Sequence, residues 1–545
     1  LERIEKKLKN EMKADNNMSY PDFDQMWSSI QKDELKIADV PIELRPRKRK
    51  RFALVAGLSV ALMATPVYAA LNYDWSNILT YRAGIQSALA QGLGQTIEQS
   101  VKKDGFTLTV HTAFIDDNRT FLLYSLKPEV SWDGEDIGFE LTGLKNAKGN
   151  FIEGSYTHSW NEELGVFQGY FETDWVVEGQ MADVEFTMEN IQFISNEKHS
   201  ISYNPNDLTT QVFPIQKDGV DTVTIQSFEQ DKGKVLLKSA VTLTDLKVRN
   251  TGIFIEAIND RTNSIENGKR SFSGNQGAKG EYFSQQLFES DALHQEGTKF
   301  QISYNRVLET KESDWRIKLN LAKKQLENAS FKQVLDIPID NVPGGTKIHE
   351  MTVTPTQVRL ILTQEKYETF PYSDYQLDVG GTLLTGNISG IDGNPNETEL
   401  RFEMKGLDAA SLENQPITFV AKHRVEGIYG DYNSTRLTNI SAKPQSVTSN
   451  IAGYPISWTY YMKDNNLYVE SLSANPEFAG VNQTYYLDDK EKIHGTPEFM
   501  GMLDNNKRMD VYENFDKKEL DILVYNYLIN KPNDELRVPL TSVKQ

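Results

Sequence analysis

Six basic residues leading into twenty uncharged ones divide this chain and limit what either side of the division can become. Arg45, Arg47, Lys48, Arg49, Lys50 and Arg51 precede Phe52 to Leu71, which reads FALVAGLSVALMATPVYAAL. At about 1.5 Å of rise per residue, such a run spans roughly 30 Å as a helix, the thickness of a bilayer's hydrocarbon core. The pattern predicts one transmembrane helix over 52–71 with a basic flank over 45–51, and basic residues stay on the cytoplasmic side. Residues 1–44 then face the cytoplasm and the chain beyond residue 71 lies outside the cell membrane. Tyr68, Tyr73 and Trp75 fall where aromatic rings settle at the outer interface. A second reading stays open. Val67-Tyr68-Ala69 before Ala70 is a small-x-small site, as at the end of a secretory signal. An anchor that is retained and then cut between Ala69 and Ala70 unites the two.

Composition agrees with export. The chain has no cysteine, so it holds neither a disulfide nor a thiolate metal site. Residues 1–51 carry 13 Lys and Arg against 10 Asp and Glu, while the rest carries 45 against 67. So acidic an exterior disfavours nucleic acid and anionic lipid as direct ligands there.

The first 44 residues hold two amphipathic patterns. Leu1, Ile4, Leu8 and Met12 recur at steps of three and four, and after the breakers from Asn16 to Pro21 so do Phe23, Met26, Trp27 and Ile30. Ser19 or Asp22 is a suitable cap for the second helix, and Pro21 is tolerated in its first turn. Two short helices cannot enclose a core of useful size. Leu8, Met12, Phe23, Met26, Trp27 and Ile30 are therefore expected to dock in a partner's groove, with a dimer contact or a loose tail as the alternative.

Past the membrane run, Ile78, Leu79, Ile85 and Leu89 follow a helical period as far as Gly92 and Gly94, giving a juxtamembrane helical segment over 72–105. The period then becomes two. Phe106 to Val110 leads through Asp116-Asp117-Asn118-Arg119 to Phe121 to Tyr124, a hairpin by alternation and turn chemistry. The same figure returns at Val223, Met351 and Trp458, at intervals of 117, 128 and 107 residues. Phe213-Pro214-Ile215 and Ile337-Pro338-Ile339 stand before the second and third copies. The spacing predicts a mainly β fold of tandem immunoglobulin-like sandwiches at 106–217, 218–345 and 346–447, with a less regular β domain at 448–545.

Chemistry-bearing patterns are few. Asp392, Asn394, Asn396 and Glu403 match four positions of a calcium loop, but Glu397 stands where glycine is required, so a hairpin turn is the better reading. Asp133-Gly134-Glu135-Asp136 reads as an acidic turn, and Ser273 to Gly280 lacks phosphate-loop spacing. The seven histidines form no local metal pair or triad motif. No enzymatic activity, cofactor or metal is expected.

The string GLGQTIEQSVKKDGFTLTV at 92–110, continuing to the hairpin that ends in LLYSLKP, resembles the juxtamembrane extracellular domain of single-pass membrane anti-sigma factors of Gram-positive bacteria. A Gram-positive surface also suits a large exported chain without disulfides. The sequence-specific part of the resemblance is 72–130, and the layout extends over residues 1–345. It implies that the cytoplasmic helices of 1–44 hold an extracytoplasmic-function sigma factor until an extracellular ligand or stress is sensed, and that membrane proteases then release it. Without cysteine, and with no histidine before His111, the zinc-binding variant of such domains is excluded. The competing expectation is a surface adhesin or wall-binding protein for which the tail serves only as an anchor; an exported hydrolase comes third.

Overall fold

The computed structural model describes residues 73–541 apart from short segments that include 133–135, 276–280, 324–329, 408–411 and 499–505. The expectations for Leu8, Met12, Phe23, Met26, Trp27, Ile30, Ala69 and Ala70, and for a membrane helix over 52–71, lie outside the described residues. Among the described residues, no helix is long and apolar enough to cross a membrane.

One turn-rich stretch and helix α1 (Ala83–Ala90) open the fold. The helical expectation for 72–105 is thus too long, because the chain is extended again from Gln95. Trp75 also departs from expectation. It is 3% exposed, packed with Leu79, Ile85, Phe114 and Phe121 inside the protein instead of being offered to lipid.

Strands β1 (Gln95–Lys103), β2 (Phe106–Ile115), β3 (Thr120–Pro128), β4 (Asp136–Asn146), β5 (Phe151–Glu153), β6 (Ser155–Asn161) and β7 (Val166–Thr173) follow. The turn between β1 and β2 uses Asp104 and Gly105, both at positive φ (51° and 82°), which matches the twist of the flanking strands. A long strand, β8 (Met181–Ile201), then carries the chain into a second sandwich. That sandwich is made from β9 (Gln211–Lys217), β10 (Val220–Gln230), β11 (Lys234–Leu243), β12 (Ile253–Asn259), β13 (Ser264–Glu266), β14 (Lys269–Asn275) and β15 (Tyr282–Glu289). After a one-turn helix α2 (Ser290–His294), the still longer β16 (Thr298–Ala322) runs back. Its first half closes the second sandwich and its second half completes the first.

The second part of the chain repeats this plan. Strands β17 (Phe331–Pro338), β18 (Lys347–Val353), β19 (Gln357–Thr363), β20 (Tyr372–Val379), β21 (Thr382–Ile391) and β22 (Asn394–Glu403) begin a third sandwich. Long β23 (Ile417–Tyr429) leads into a fourth, built from β24 (Thr435–Leu437), β25 (Gln445–Ile451), β26 (Tyr454–Lys463), β27 (Asn466–Leu472), β28 (Phe478–Asp488), β29 (Glu491–His494), β30 (Thr496–Pro497) and β31 (Arg508–Tyr512). Strand β32 (Leu520–Thr541) returns to the third.

The four cores obey this nesting. Trp315, Ile317, Leu319 and Leu321 of β16 pack with Leu108, Phe171 and Phe186 in the first sandwich, although the second lies between them in sequence. Val538 and Leu540 of β32 likewise join Leu360, Phe402 and Phe419 in the third. The tandem boundaries at 217/218 and 345/346, and the unit 448–545, therefore differ from the packing: 313–322 and 536–541 return to the preceding sandwich. A single strand long enough to cross two cores contributes to both, and its alternation does not change where one core ends. The two proline-bearing stretches are edge strands, β9 and β17, where the missing N–H costs no ladder bond.

Strand order makes the duplication explicit. The order β14-β15-β11-β10-β9 of one five-stranded sheet is matched by β30-β31-β27-β26-β25. The order β13-β12-β16-β8-β4-β5 is matched by β29-β28-β32-β23-β20-β21, and β1-β2-β3-β7-β6 by β17-β18-β19-β22-β21. Local detail agrees. Leu144 pairs with Phe186 as Leu377 pairs with Phe419. The long strands β8 and β23 bulge at equivalent places, where Asn190 and His423 both have positive φ (56° and 58°).

Candidate functional site at the junction of the two double sandwiches

Equivalent hairpin turns of the two halves, β2–β3 and β18–β19, face each other, and the contact is built on one arginine. Asp116 starts the first turn as an Asx motif, its Oδ1 accepting from the backbone N–H groups of Asn118 (2.8 Å) and Arg119 (3.0 Å). This local bond turns the Arg119 side chain across to the other half. Its Nη1 donates to Glu172 Oε1 at 2.8 Å and to Glu403 Oε1 at 2.7 Å, and its Nη2 donates to Glu403 Oε2 at 3.0 Å. Nε reaches Thr356 Oγ1 at 3.2 Å, while Thr356 Oγ1 donates to Asp116 Oδ2. Asn118 Nδ2 donates to the Gln357 carbonyl at 3.1 Å.

The two glutamates lie on corresponding strands but two positions apart in register: Glu172 pairs with Phe121 where the second half pairs Arg401 with Arg359, and Glu403 pairs with Gln357. Glu172 stands one residue before the end of β7 and Glu403 ends β22, and the rings of Phe171 and Phe402 lie over Gly154, between β5 and β6, and Gly386 of β21. A Cβ on either glycine would come within 2.5 Å of that ring, so only glycine lets the strands approach this closely. One glutamate from each half therefore grips the same guanidinium. Each has a second donor: Arg82 Nε to Glu172 Oε2 at 2.6 Å, and the Gly84 N–H, in the first turn of α1, to Glu403 Oε2 at 3.0 Å. The helix N-terminus favours that carboxylate.

Arg119 is 1% exposed. Burial alone would lower its pKa, but Glu403 and then Glu172 outweigh that and hold it firmly protonated. Burial likewise works to raise the Glu172 pKa, and Arg119 and Arg82 pull it below the usual carboxylate value. A charge-assisted, multiply bonded pair of this kind is costly to break, about 3–5 kcal/mol when one partner is removed and the other stays buried. A second, more exposed tie, Arg401 Nη2 to Asp174 Oδ2 at 2.6 Å, borders a cleft of about 620 Å³ beside the junction.

The sequence marks Asp116 to Arg119 as a hairpin turn. The structure buries Asp116, Asn118 and Arg119, because the opposing turn at Thr354–Gln357 covers them. Glu403, weighed as the last ligand of a calcium loop, faces Arg119; Asn394 and Asn396 are joined by a turn bond, and Asp392 lies outside the described residues. Among the described residues, Glu197, His199 and Asp218 bring ligand-type atoms within 4.8 Å of one another. Arg306 Nη2 sits between the two carboxylates at 3.2 and 3.3 Å, so its guanidinium already balances their charge.

A family model described as a domain of unknown function, DUF4179, matches residues 45–128, from the basic flank through α1 and β1 to β3. Among curated proteins, none matches the chain. Among solved structures, the conserved domain protein from Bacillus anthracis is 9% identical with a TM-score of 0.32, covering 82% of this chain and 92% of its own. A Ca2+-stabilized adhesin with which an Antarctic bacterium binds ice is 10% identical with a TM-score of 0.10, covering 77% and 92%. At those scores neither likeness bears on fold or function.

Proposed function

We propose that the chain is a membrane-anchored anti-sigma factor, whose residues 1–44 sequester an extracytoplasmic-function sigma factor and whose β-rich region gates that hold from outside the cell. The observation that carries the reading is the extent of the family match. It runs unbroken from the basic flank at residue 45 to the end of β3, so one family pattern in sequence covers both the apolar run and the first sandwich's leading hairpin. That hairpin ends in Arg119. A force or ligand acting on the second half is therefore felt, through Glu403, by the element that follows the membrane run. Proteolysis near Ala69 and Ala70 then frees the cytoplasmic helices with their sigma factor.

The test is co-purification from membranes with the full chain. The wild type should retain a sigma factor. Trp27→Ala should lose it, because a buried aromatic anchor contributes on the order of 2 kcal/mol or more to such an interface, about thirty-fold in affinity. Neither chain retrieving a sigma factor, together with unchanged transcription after deletion of residues 1–44, would replace this reading with the surface-binding one.

A further inference from the structure

A cleft of about 1270 Å³ opens in the second half between the third and fourth sandwiches. Strand pairing explains it. Strands β20 and β21 stay together only from Tyr375↔Gly386 to Val379↔Thr382, and β20 leaves β23 at Tyr372↔Arg424. Beyond these points, Ile388 to Ile391 of β21 and Glu426 to Tyr429 of β23 form opposite walls.

The matching place in the first half is filled. There His158 and Phe193 stand where the second half has Gly390 and Glu426. His158 is buried, its Nε2 2.8 Å from the Ile137 carbonyl and its ring against Phe167. Phe193 stacks on Trp132 with centroids 6.1 Å apart. At Gly390, by contrast, an added Cβ would meet nothing within 4 Å. Losing two plugging rings is what leaves the second copy hollow.

The lining has the chemistry of a sugar site. Tyr367 and Tyr429 stand at the cleft 61% and 68% exposed, presenting large rigid faces for the C–H surfaces of a pyranose ring. Asn526, 3% exposed, leaves its Oδ1 without a hydrogen-bond partner, and Arg424 leaves its Nε without one, while its Nη2 is held by the Asn341 carbonyl at 2.7 Å and paired with Glu426. An orphan acceptor and an orphan donor among the lining residues suit ligand hydroxyls, which both donate and accept. Glu368, Glu397 and Glu426 against the single Arg424 repel polyanions.

We infer that this cleft binds a neutral oligosaccharide, seated on Tyr429 and Tyr367 and hydrogen-bonded at its floor by Arg424 and Asn526. The inference deepens the sensing role proposed above by naming a ligand class, and rests on that role only for where the ligand would be met. A volume above the roughly 300–1000 Å³ of ordinary small-ligand pockets suits several linked sugar rings better than a metabolite.

Isothermal titration of the full chain in detergent micelles with chitotetraose, cellotetraose and maltotetraose tests it. Binding of at least one tetrasaccharide is expected, weakened at least tenfold by Tyr429→Ala and abolished by Gly390→Trp, which refills the cleft. Both changes fall in open space, and an unchanged melting temperature would show that the fold is intact. No binding of any of the three at millimolar concentration would overturn the inference, as would a Gly390→Trp chain that binds like the wild type. A valine-threonine heptapeptide that binds where the sugars do not would assign the cleft to an extended peptide added to β23. None of these results touches retention of the sigma factor, so the two proposals fail separately.

Discussion

The two halves of the molecule have the same strand order and opposite interiors at one corresponding place. In the first, aromatic side chains close the seam between the long strands and the hairpin beside them. In the second, Gly390 and Glu426 leave it open. A further contrast lies at the junction, where each half supplies a glutamate but only the first supplies the arginine that holds both. Duplication gave the scaffold twice, and a few substitutions separated a closed copy bearing the Arg119 hairpin from an open copy with room for a ligand. The open copy's cleft and the junction glutamate both sit on β22 and its neighbours, which places a binding event close to the contact that ties the halves together.

Nesting is the part of the comparison that breaks with the largest effect. Ending the chain after Asn533 removes Val538 and Leu540 from the third core, and should abolish folding of the third sandwich while sparing the first and second; hydrogen exchange resolved by segment would show it. A tandem arrangement would instead confine the damage to the fourth. Next, Trp315→Ala should cost about 3–5 kcal/mol, and the loss should appear in strands β2 to β7 of the first sandwich. Protection lost only in β9 to β15 would sink the nested topology.

The halves should also respond differently to acid. Burial pushes the Asp510 carboxyl of the fourth sandwich up to about 6, so its folded state prefers the protonated acid. Its destabilising effect at neutral pH is relieved as pH falls, and lowering pH from 7 to 5 should strengthen that sandwich by on the order of 1 kcal/mol. Glu172 has the opposite sign. Its folded pKa is depressed, so its contribution is present above its unfolded value of 4.5 and is lost as pH falls below that. Thermal unfolding followed from pH 7 to pH 3 should show the fourth sandwich gaining first and the junction failing later. Asp510→Asn should remove the gain. The smallest effect belongs to Asp174→Ala: Asp174 is largely exposed, and Arg401 keeps its pairing with Glu399, so the loss should stay within about 1 kcal/mol.

Much of this fold was legible in the alternation of apolar residues. The four hairpins beginning at Phe106, Val223, Met351 and Trp458 lie in β2–β3, β10–β11, β18–β19 and β26–β27. The nesting was not legible, because the alternation of Trp315, Ile317, Leu319 and Leu321 says that one face is buried without saying in which core. The helix expected over 72–105 shrank to Ala83–Ala90 for a related reason: Ile97 and Val101 continue an apolar spacing that sheet pairing overrides. Arg119 was missed because a polar turn looks the same whether water or another turn covers it. Gly390 was equally silent, since an open cleft is written as the absence of a plug that only the other half displays.

Whether Arg119 unites the halves through the paired glutamates is answered most directly by a double-mutant cycle on the full chain. Arg119→Met, Glu403→Gln and the combination would each be unfolded in denaturant, with the transition of each half followed separately. The account predicts that Arg119→Met costs about 3–5 kcal/mol, that the two changes couple by at least about 1.5 kcal/mol, and that the halves unfold independently once the contact is gone. Strictly additive effects, with the halves still unfolding together, would contradict it.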